Sequence, residues 1–406
     1  MAQQFIPYTV IHQPRRLQLP AREIPAGASP GQIASFLFDE EMNRRYLDQV
    51  ARSCYYPATR VFRKLLDEGF KLNLGMSLSF IRQIERWEPE LLELLRDLVA
   101  HPNLELVGVE PYHGFLFYLD FPRFVQRMDW MRDELERIFG KRPVVTDTTE
   151  LFMSNDLYYA LKKGGWDAGL MDGRERVLDG REPTHLYRYY HGPYLFCRHV
   201  QLSDDVGFRF TDRQWPGWPL TATDYAQWIG KTPGDFVFVA WDYETFGEHH
   251  HESTGIFEFM GHLPGELSAQ GVLCATLSEA RQRHAEQVQH LPLPEVPVTW
   301  AGAGTPEFFL GNSAQQSVFQ LMHHAYHKAV LTGNEELVDL AIWLSQSDNL
   351  HLIQWYGKSG PEADVSISFT PREWWRLKPD GIVTEIQNVY RQFIRALDRY
   401  LDPSAG

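Results

Sequence analysis

Short apolar runs, separated by longer amphipathic stretches, recur through the first 290 residues of this 406-residue chain. Runs with the composition of buried β-strands occupy residues 5–11, 71–77, 104–109, 143–147, 168–172 and 236–240. Between them, apolar residues recur at helical spacing, for example within residues 84–100. Strands that alternate with helices in this way are typical of a parallel sheet joined by crossover helices, so the chain is predicted to adopt an α/β fold.

Polar residues follow several of the strand-like runs, and this favours a closed barrel over an open sheet. His12, Glu110, Glu150 and Asp242 each lie just beyond an apolar run. In a parallel barrel the loops after the carboxyl ends of the strands build the active site. We therefore expect these four side chains to lie at one end of the barrel.

The rest of the chain divides by composition. Residues 176–235 are rich in Tyr, Arg, Trp, Gly and Pro and are predicted to form an active-site insertion with only short regular elements. Residues 291–297 contain three prolines and resemble a stiff linker. Helical patterns at 313–331, 335–345 and 384–401 predict a helical bundle. The expected organisation is a barrel domain at 1–290 and a helical domain at 298–406.

Charge and cysteine content exclude several classes of protein. The net charge of −14 disfavours nucleic acid or an anionic membrane as a partner, because no basic field attracts phosphate. Cys54, Cys197 and Cys274 have neither metal-ligand spacing nor the pattern of a disulfide framework. Neither a signal peptide nor a membrane-spanning run is recognisable. The expectation is a soluble cytoplasmic protein.

Two acidic residues stand where carboxylate chemistry could occur. Glu150 follows Val-Val-Thr-Asp-Thr-Thr, and Asp242 follows Val-Phe-Val-Ala-Trp. Cleavage of a glycosidic bond with retention needs a nucleophile and a general acid/base roughly 5–5.5 Å apart. Spacing alone equally allows a helix N-cap or an ion-pair partner at such a position.

The run His249–His251 after Asp242 suggests a metal site as an alternative. Three consecutive histidines cannot all point the same way on a regular element. The sequence also has neither His-Glu-x-x-His nor paired cysteines. A metal-dependent hydrolase of the polysaccharide deacetylase type, using Asp242, His249 and His250, stays open as a hypothesis of another class.

The segment from Asp242 to His249, Asp-Tyr-Glu-Thr-Phe-Gly-Glu-His, resembles the fourth conserved region of glycoside hydrolase family 57, close to its α-amylase-type members. Further segments resemble other regions of that family in the same order, so the resemblance covers nearly the whole chain. They are His12-Gln13-Pro14, Glu110-Pro-Tyr-His113, Thr149-Glu150-Leu151 with Ser154-Asn155-Asp156, 202–210, Leu310-Gly-Asn-Ser313 and Ser347-Asp348-Asn349.

The resemblance implies a (β/α)7 barrel, distorted relative to a TIM barrel, and a C-terminal helical domain that completes the active-site cleft. It implies cleavage of α-glucans such as starch or glycogen by retention, without an obligatory metal or other cofactor. It assigns Glu150 as nucleophile and Asp242 as general acid/base. The residues it places against the substrate are His12, Glu110, His113, Trp241, Trp300 and Asp348.

Besides the metal-dependent alternative, three hypotheses about function are compatible with these residues. An α-amylase-like hydrolase of α-1,4 bonds is the leading hypothesis, and a 4-α-glucanotransferase or other transglycosylase is the alternative that shares its chemistry. The sequence departs from the family pattern at Pro111 and in the segment after Asp348. A glucan-binding protein without catalysis therefore stays as a third hypothesis, although both carboxylates are retained.

Overall fold

The computed structural model describes residues 3–402. Contacts within the chain divide them into two compact units. The first comprises residues 3–13, 46–111 and 125–300, and the second comprises 14–45, 112–124 and 301–402. The units are therefore not separated at a single point along the chain.

All strands of the described chain belong to the first unit. In chain order they are β1 (Gln4–Ile11), β2 (Leu72–Met76), β3 (Leu104–Val107), β4 (Val145–Thr146), β5 (Ala168–Asp172), β6 (Tyr187–Arg188), β7 (Tyr194–Arg198), β8 (Phe236–Asp242), β9 (Leu273–Cys274) and β10 (Gln289–His290).

Seven of these strands form a closed parallel barrel. Strands β3, β2, β1 and β8 are neighbours in that order, as are β4, β5 and β7, and every pairing among them is parallel. A bridge between Gly108 and Thr146 joins β3 to β4. On the other side, the His199 N–H donates to the Phe238 carbonyl at 2.8 Å, which joins β7 to β8. The predicted α/β barrel is confirmed.

Helices make up most of the remaining chain. They are α1 (Pro30–Leu37), α2 (Glu40–Val50), α3 (Tyr56–Asp67), α4 (Leu78–Trp87), α5 (Pro89–Ala100), α6 (Leu116–Leu119), α7 (Phe121–Phe139), α8 (Asn155–Lys163), α9 (Glu175–Leu178), α10 (Val200–Gly207), α11 (Ala222–Lys231), α12 (Ile256–Ala269), α13 (Leu277–His284), α14 (Glu307–Leu310), α15 (Ser313–Leu331), α16 (Glu335–Trp343), α17 (Asp348–His351), α18 (Pro361–Phe369) and α19 (Lys378–Leu401). A π-helical turn, Ala51–Tyr55, joins α2 to α3.

One predicted helix was wrong, and one barrel strand was missed. The helix expected at 84–100 is broken into α4 and α5, because Pro89 lacks the N–H that a continuous helix would need and instead begins α5. The segment 176–235 is more regular than expected, since it holds the barrel strand β7 as well as α10 and α11. The apolar run of β7 is only Leu195–Cys197, too short to stand out by composition.

The barrel interior shows how the strands place polar groups. Alternate residues of β1 (Ile6, Tyr8 and Val10) and of β8 (Phe236, Phe238 and Ala240) share one buried cluster. Because side chains alternate between faces, the next residue on the same face is two positions further along. Two positions beyond the last apolar residue of these strands, the side chains on the same face are polar. They are His12, Asp147, Asp172, Arg198 and Asp242, at the carboxyl ends of the strands.

The second unit is helical, as the pattern at the end of the chain predicts. The stretches 313–331, 335–345 and 384–401 correspond to α15, α16 and the greater part of α19. Asn312 caps α15, since its side chain accepts from the Gln315 N–H at 2.8 Å. The three cysteines are free thiols. Within residues 3–402, none of the helices combines the length and the apolar character required to cross a bilayer.

Candidate active site

Glu150 is held in an unusual conformation beyond the end of β4. Its φ is +53° and that of Leu151 is +51°, a left-handed region that non-glycine residues seldom occupy. The Trp300 indole Nε1–H donates to Oε2 of Glu150 at 2.6 Å. The Thr299 hydroxyl donates to the Glu150 carbonyl, also at 2.6 Å. Residues 299–300 thus fix both the side chain and the backbone of this half-buried carboxylate.

A network of charged residues, Arg174, Arg198 and Asp172, contacts Trp300 and holds it in place. The guanidinium carbon of Arg198 lies 5.7 Å from the Trp300 ring centroid. Arg174 donates to the Trp300 carbonyl at 3.0 Å. Both arginines pair with Asp172, at 3.3 Å from Arg198 and 2.6 Å from Arg174. Burial raises the pKa of the Asp172 carboxyl and the two guanidinium groups oppose that rise. This network holds the ring that in turn holds Glu150.

Asp242 is the last residue of β8 and stands opposite Val10 of β1. The chain then turns through Tyr243–Thr245. The Tyr243 hydroxyl lies 2.8 Å from the Thr59 hydroxyl, inside the unit. Gly247 has a φ of +119°, and a Cβ there would collide with the Ser53 carbonyl, so only glycine fits. The turn that carries Asp242 is therefore seated on the π-helical turn and α3.

The other carboxylates of this segment are held by that same region. The Tyr55 hydroxyl donates to Glu244 at 2.5 Å, and Gln13 donates to the Tyr55 oxygen at 2.9 Å. The Ser53 hydroxyl donates to Glu248 at 2.5 Å. Burial, and then the charge of Asp242, raise the pKa of Glu244 to about 8. Glu244 and Glu248 thus anchor the segment, and Glu244 places a second acidic group near Asp242.

The histidine run has its own partners. The Nε2–H of His250 donates to the Val206 carbonyl at 2.9 Å, and its Nδ1 lies 3.2 Å from the Thr211 hydroxyl. Both ring nitrogens of His250 therefore have partners, one in α10 and the other in the loop that follows it. Burial lowers the pKa of His249 to about 4, so this ring is neutral at neutral pH. His251 is exposed, and its Nδ1 lies 3.3 Å from the Ser253 hydroxyl.

The other predicted site residues of the first unit, His12, Glu110 and Trp241, differ in burial and in orientation. His12 is half-buried, with Nδ1 2.8 Å from the Ser77 hydroxyl. Glu110 is fully buried just beyond β3. Trp241 faces away from the barrel interior, is 2% exposed, and donates its indole N–H to the Ser203 carbonyl at 2.9 Å. Its position is that of a packing residue between Phe5 and Phe246.

His113 and Asp348 belong to the second unit, which brings their two segments together. His113 has a φ of +56° and is buried. Its carbonyl accepts from the Ser347 N–H at 2.9 Å. Asp348 is the first residue of α17 and directly follows Ser347.

The structure adds residues that the sequence analysis did not single out. The Tyr8 hydroxyl donates to Oδ2 of Asp147 at 2.9 Å, and the Thr148 N–H donates to Oδ1 at 2.6 Å. Burial is the main cause that raises the pKa of Asp147 to about 7, and the charge of Asp242 adds to it. The two-residue step from Val145 would have marked Asp147 as inward-facing. Nothing comparable in the sequence marks Tyr8 as its partner.

Comparison with known proteins decides the family. The profile described as Glycosyl hydrolase family 57 matches residues 12–294. The chain belongs to glycosyl hydrolase family 57. This family-57 chain is 32% identical over 354 residues to a protein of Methanocaldococcus jannaschii named "Putative alpha-amylase", covering 84% of this chain and 74% of that one. The chain is therefore an enzyme of the glycoside hydrolase class, and its family acts on α-glucans.

Solved structures share the fold of this family-57 enzyme. The match to a GH57-type branching enzyme of Pyrococcus horikoshii covers 100% of this chain and 92% of the branching enzyme, with a TM-score of 0.66 and 14% identity. A 4-alpha-glucanotransferase of Thermococcus litoralis matches 99% of this chain, with a TM-score of 0.59 and 14% identity. This chain spans 60% of that transferase. Because both identities are only 14%, these matches show a shared fold alone.

Proposed function

We propose that this family-57 enzyme is a retaining glycoside hydrolase that cleaves α-1,4-glucosidic bonds in α-glucans. Glu150 is the nucleophile and Asp242 the general acid/base in this proposal. The observation that carries it is the hydrogen bond from Trp300 to Glu150, made while the Glu150 backbone is left-handed. A donor aimed at a carboxylate stabilises its charged form, and strained backbone of this kind is concentrated at active sites.

The reaction proceeds in two displacements. The Glu150 carboxylate attacks the anomeric carbon as the bond to the leaving oxygen breaks, and the Asp242 proton moves to that oxygen. A water molecule then attacks the anomeric carbon, gives its proton to Asp242, and displaces the Glu150 carboxylate. Inversion at each step leaves the product with the configuration of the substrate, and both carboxyl groups return to their starting states.

Contacts to the sugar are assigned by resemblance and placement. His12 and Glu110 follow β1 and β3, at the end of the barrel where Asp242 ends β8. Trp300 offers a half-buried ring beside Glu150. His113 and Asp348 are proposed as sugar contacts from the family resemblance. Trp241 is left out, because its ring is packed and its indole N–H is already bonded to Ser203.

Hydrolysis is preferred to transfer because of the relative with the α-amylase name, which is similar over most of both chains. In hydrolysis water intercepts the glycosyl-enzyme, whereas in transfer a sugar hydroxyl does so. Maltoheptaose digestion distinguishes them. Hydrolysis gives one new reducing end for each bond cut and only shorter products. Products longer than maltoheptaose, formed without a matching gain in reducing ends, would establish a transferase instead.

The catalytic assignment has its own test. Glu150→Gln and Asp242→Asn each keep the shape of the side chain, and each is expected to lower kcat at least about 10³-fold. Glu295→Gln, at an exposed position, is the matched control and should leave kcat unchanged. In Asp242→Ala, azide should restore turnover and yield a glycosyl azide of retained configuration. Unchanged hydrolysis by Glu150→Gln would refute the assignment.

A further inference from the structure

Four aromatic side chains form one cluster on the surface of the barrel unit. They are Tyr159 of α8, Tyr189 and Tyr190 after β6, and His290 of β10. The ring centroids of Tyr189 and Tyr190 are 4.4 Å apart, and that of His290 lies 5.8 Å from each of them. The Tyr159 ring is 6.5 Å from that of Tyr189. These four residues, called the tyrosine cluster below, therefore make one continuous aromatic surface.

The tyrosine cluster lies at the end of the barrel opposite the candidate active site. Tyr189 and Tyr190 are in the turn that leads from β6 into β7, so they precede the amino end of a barrel strand. Glu150 follows the carboxyl end of β4, and Asp242 ends β8. Because β4, β7 and β8 run parallel in the closed barrel, the amino end of one and the carboxyl ends of the others lie at opposite ends. The cluster is therefore separate from the site described above.

Tyr190 is both exposed and conformationally strained. The residue is 61% exposed, and its φ of +47° lies in the left-handed region that non-glycine residues seldom occupy. The buried Tyr158 holds the turn in place, since its hydroxyl lies 2.5 Å from the Tyr189 carbonyl and 2.9 Å from the Pro193 carbonyl. Gly192 packs against the Tyr158 ring, where a Cβ would collide. Strained backbone of this kind is concentrated at functional sites, and here it presents an aromatic ring to solvent.

The chemistry of the tyrosine cluster fits a sugar chain. Tyrosine offers an apolar ring, on which the C–H face of a pyranose can stack, and a hydroxyl that bonds to sugar hydroxyls. None of the four residues is a carboxylate, although the chain has a net charge of −14. The ammonium of Lys162 lies 6.0 Å from the Tyr159 ring. A surface of rings and hydroxyls matches a neutral polyol, and the family acts on a neutral polyol, α-glucan.

We propose that the tyrosine cluster is a second α-glucan-binding site, which holds a polymeric substrate away from the catalytic carboxylates. This inference rests on the proposed function, which supplies the class of sugar, and it gives the cluster no part in bond cleavage. A polymer long enough to occupy both the cluster and the cleft stays bound between cleavages, because release from one site leaves it held at the other. A short oligosaccharide occupies one site at a time and gains nothing.

The decisive variant is Tyr190→Gly. Glycine adopts a positive φ without strain, so the variant keeps the fold and loses only the ring. Native gel electrophoresis through glycogen measures binding, and the dissociation constant should rise about five- to tenfold as the ring contact is lost. Tyr190→Phe keeps the ring and should stay within about twofold of the wild type. Tyr400→Ala removes a tyrosine of α19 that is 48% exposed, and it should bind glycogen as the wild type does.

Kinetics separate the tyrosine cluster from the catalytic cleft. For Tyr190→Gly, KM on glycogen should rise about five- to tenfold, whereas kcat on glycogen and kcat/KM on maltoheptaose should stay within about twofold of the wild type. Glycogen binding equal to that of the wild type overturns the proposal, as does an equal loss of kcat/KM on both substrates. A wild-type dimer that Tyr190→Gly dissociates in sedimentation velocity, with glycogen binding unchanged, would make the cluster a contact between two copies instead.

Failure of the proposed function gives a different result from failure of the second site. If Tyr190→Gly weakens glycogen binding but the wild type releases no reducing ends from maltoheptaose, hydrolysis is refuted and the second site stands. If the wild type hydrolyses maltoheptaose and Tyr190→Gly binds glycogen normally, the second site alone is refuted.

Discussion

The indole nitrogen of Trp300 lies 2.6 Å from Oε2 of Glu150, although 150 positions separate the two residues in the chain. Trp300 is fixed in turn by Arg174 and Arg198, which meet at the buried Asp172. The carboxylate proposed as nucleophile is thus oriented by a residue beyond the last strand of the barrel unit. The consequences of this arrangement can be measured.

Trp300→Phe should lower kcat about 10- to 100-fold, because a hydrogen bond to a charged group contributes about 1.5–3 kcal/mol. The phenyl ring of phenylalanine still provides an aromatic face, so packing beside Arg198 is largely kept. Steady-state kinetics on maltoheptaose measure the effect. Trp355→Phe is the matched control, since its indole N–H donates to Leu352 and Thr370 within the second unit. If both variants lose activity equally, the Trp300 N–H has no special part in orienting Glu150.

Gly75→Ala should reduce the free energy of unfolding by about 1–3 kcal/mol, the usual cost of overpacking a core. The new methyl group would press on Tyr8 and Val109 at 2.6 Å. Urea denaturation measures the change. Gly261→Ala, on the exposed side of α12 with no atom near the added methyl, should stabilise the protein by about 0.5–1 kcal/mol. Equal effects at the two glycines would show that the barrel tolerates a methyl group at position 75.

Arg198→Met should destabilise the enzyme by about 3–5 kcal/mol, because it leaves Asp172 without one of its two guanidinium partners in a buried site. Removal of the exposed Arg52–Asp48 pair by Arg52→Met should stay within about 0.5 kcal/mol. Thermal and urea unfolding of both variants give the comparison. A loss for Arg198→Met as small as that of Arg52→Met would contradict a structural role for the ionic network.

Stability should fall between about pH 4.5 and pH 8 through Glu244. Burial and the charge of Asp242 raise its pKa to about 8, so the folded enzyme keeps the proton that the unfolded chain has already lost. Fewer protons on the unfolded chain than on the folded one mean that rising pH favours unfolding across this window. Glu244→Gln keeps a partner for Tyr55 and removes the titration. Its stability relative to the wild type should therefore be greater at pH 8 than at pH 5.

Urea unfolding at the two pH values measures this difference, with the exposed Glu295→Gln as control. The control should differ from the wild type by the same small amount at both values. A Glu244→Gln difference that does not change with pH would mean that Glu244 is ionised in the folded enzyme throughout the range.

Local patterns predicted the fold well where an element is long or strongly apolar. β1, β2, β8 and the helix over 313–331 lie where the sequence indicates them. The two elements that were not predicted correctly differ from expectation because of local features of the chain. A proline divides 84–100, and β7 has an apolar run of only three residues inside an aromatic segment. The bridge between Gly108 and Thr146 that links β3 to β4 involves too few residues to leave a pattern.

By itself the sequence determined that strands and helices alternate, that Glu150 and Asp242 follow apolar runs, and that the chain resembles one family throughout. These properties depend on neighbours along the chain, where periodicity and composition act. Only the tertiary structure decided that Trp300 bonds to Glu150 and that Tyr8 bonds to Asp147, 139 positions away. Such pairs form because closing the barrel brings distant strand ends into one poorly solvated interior, where each buried polar group must find a partner.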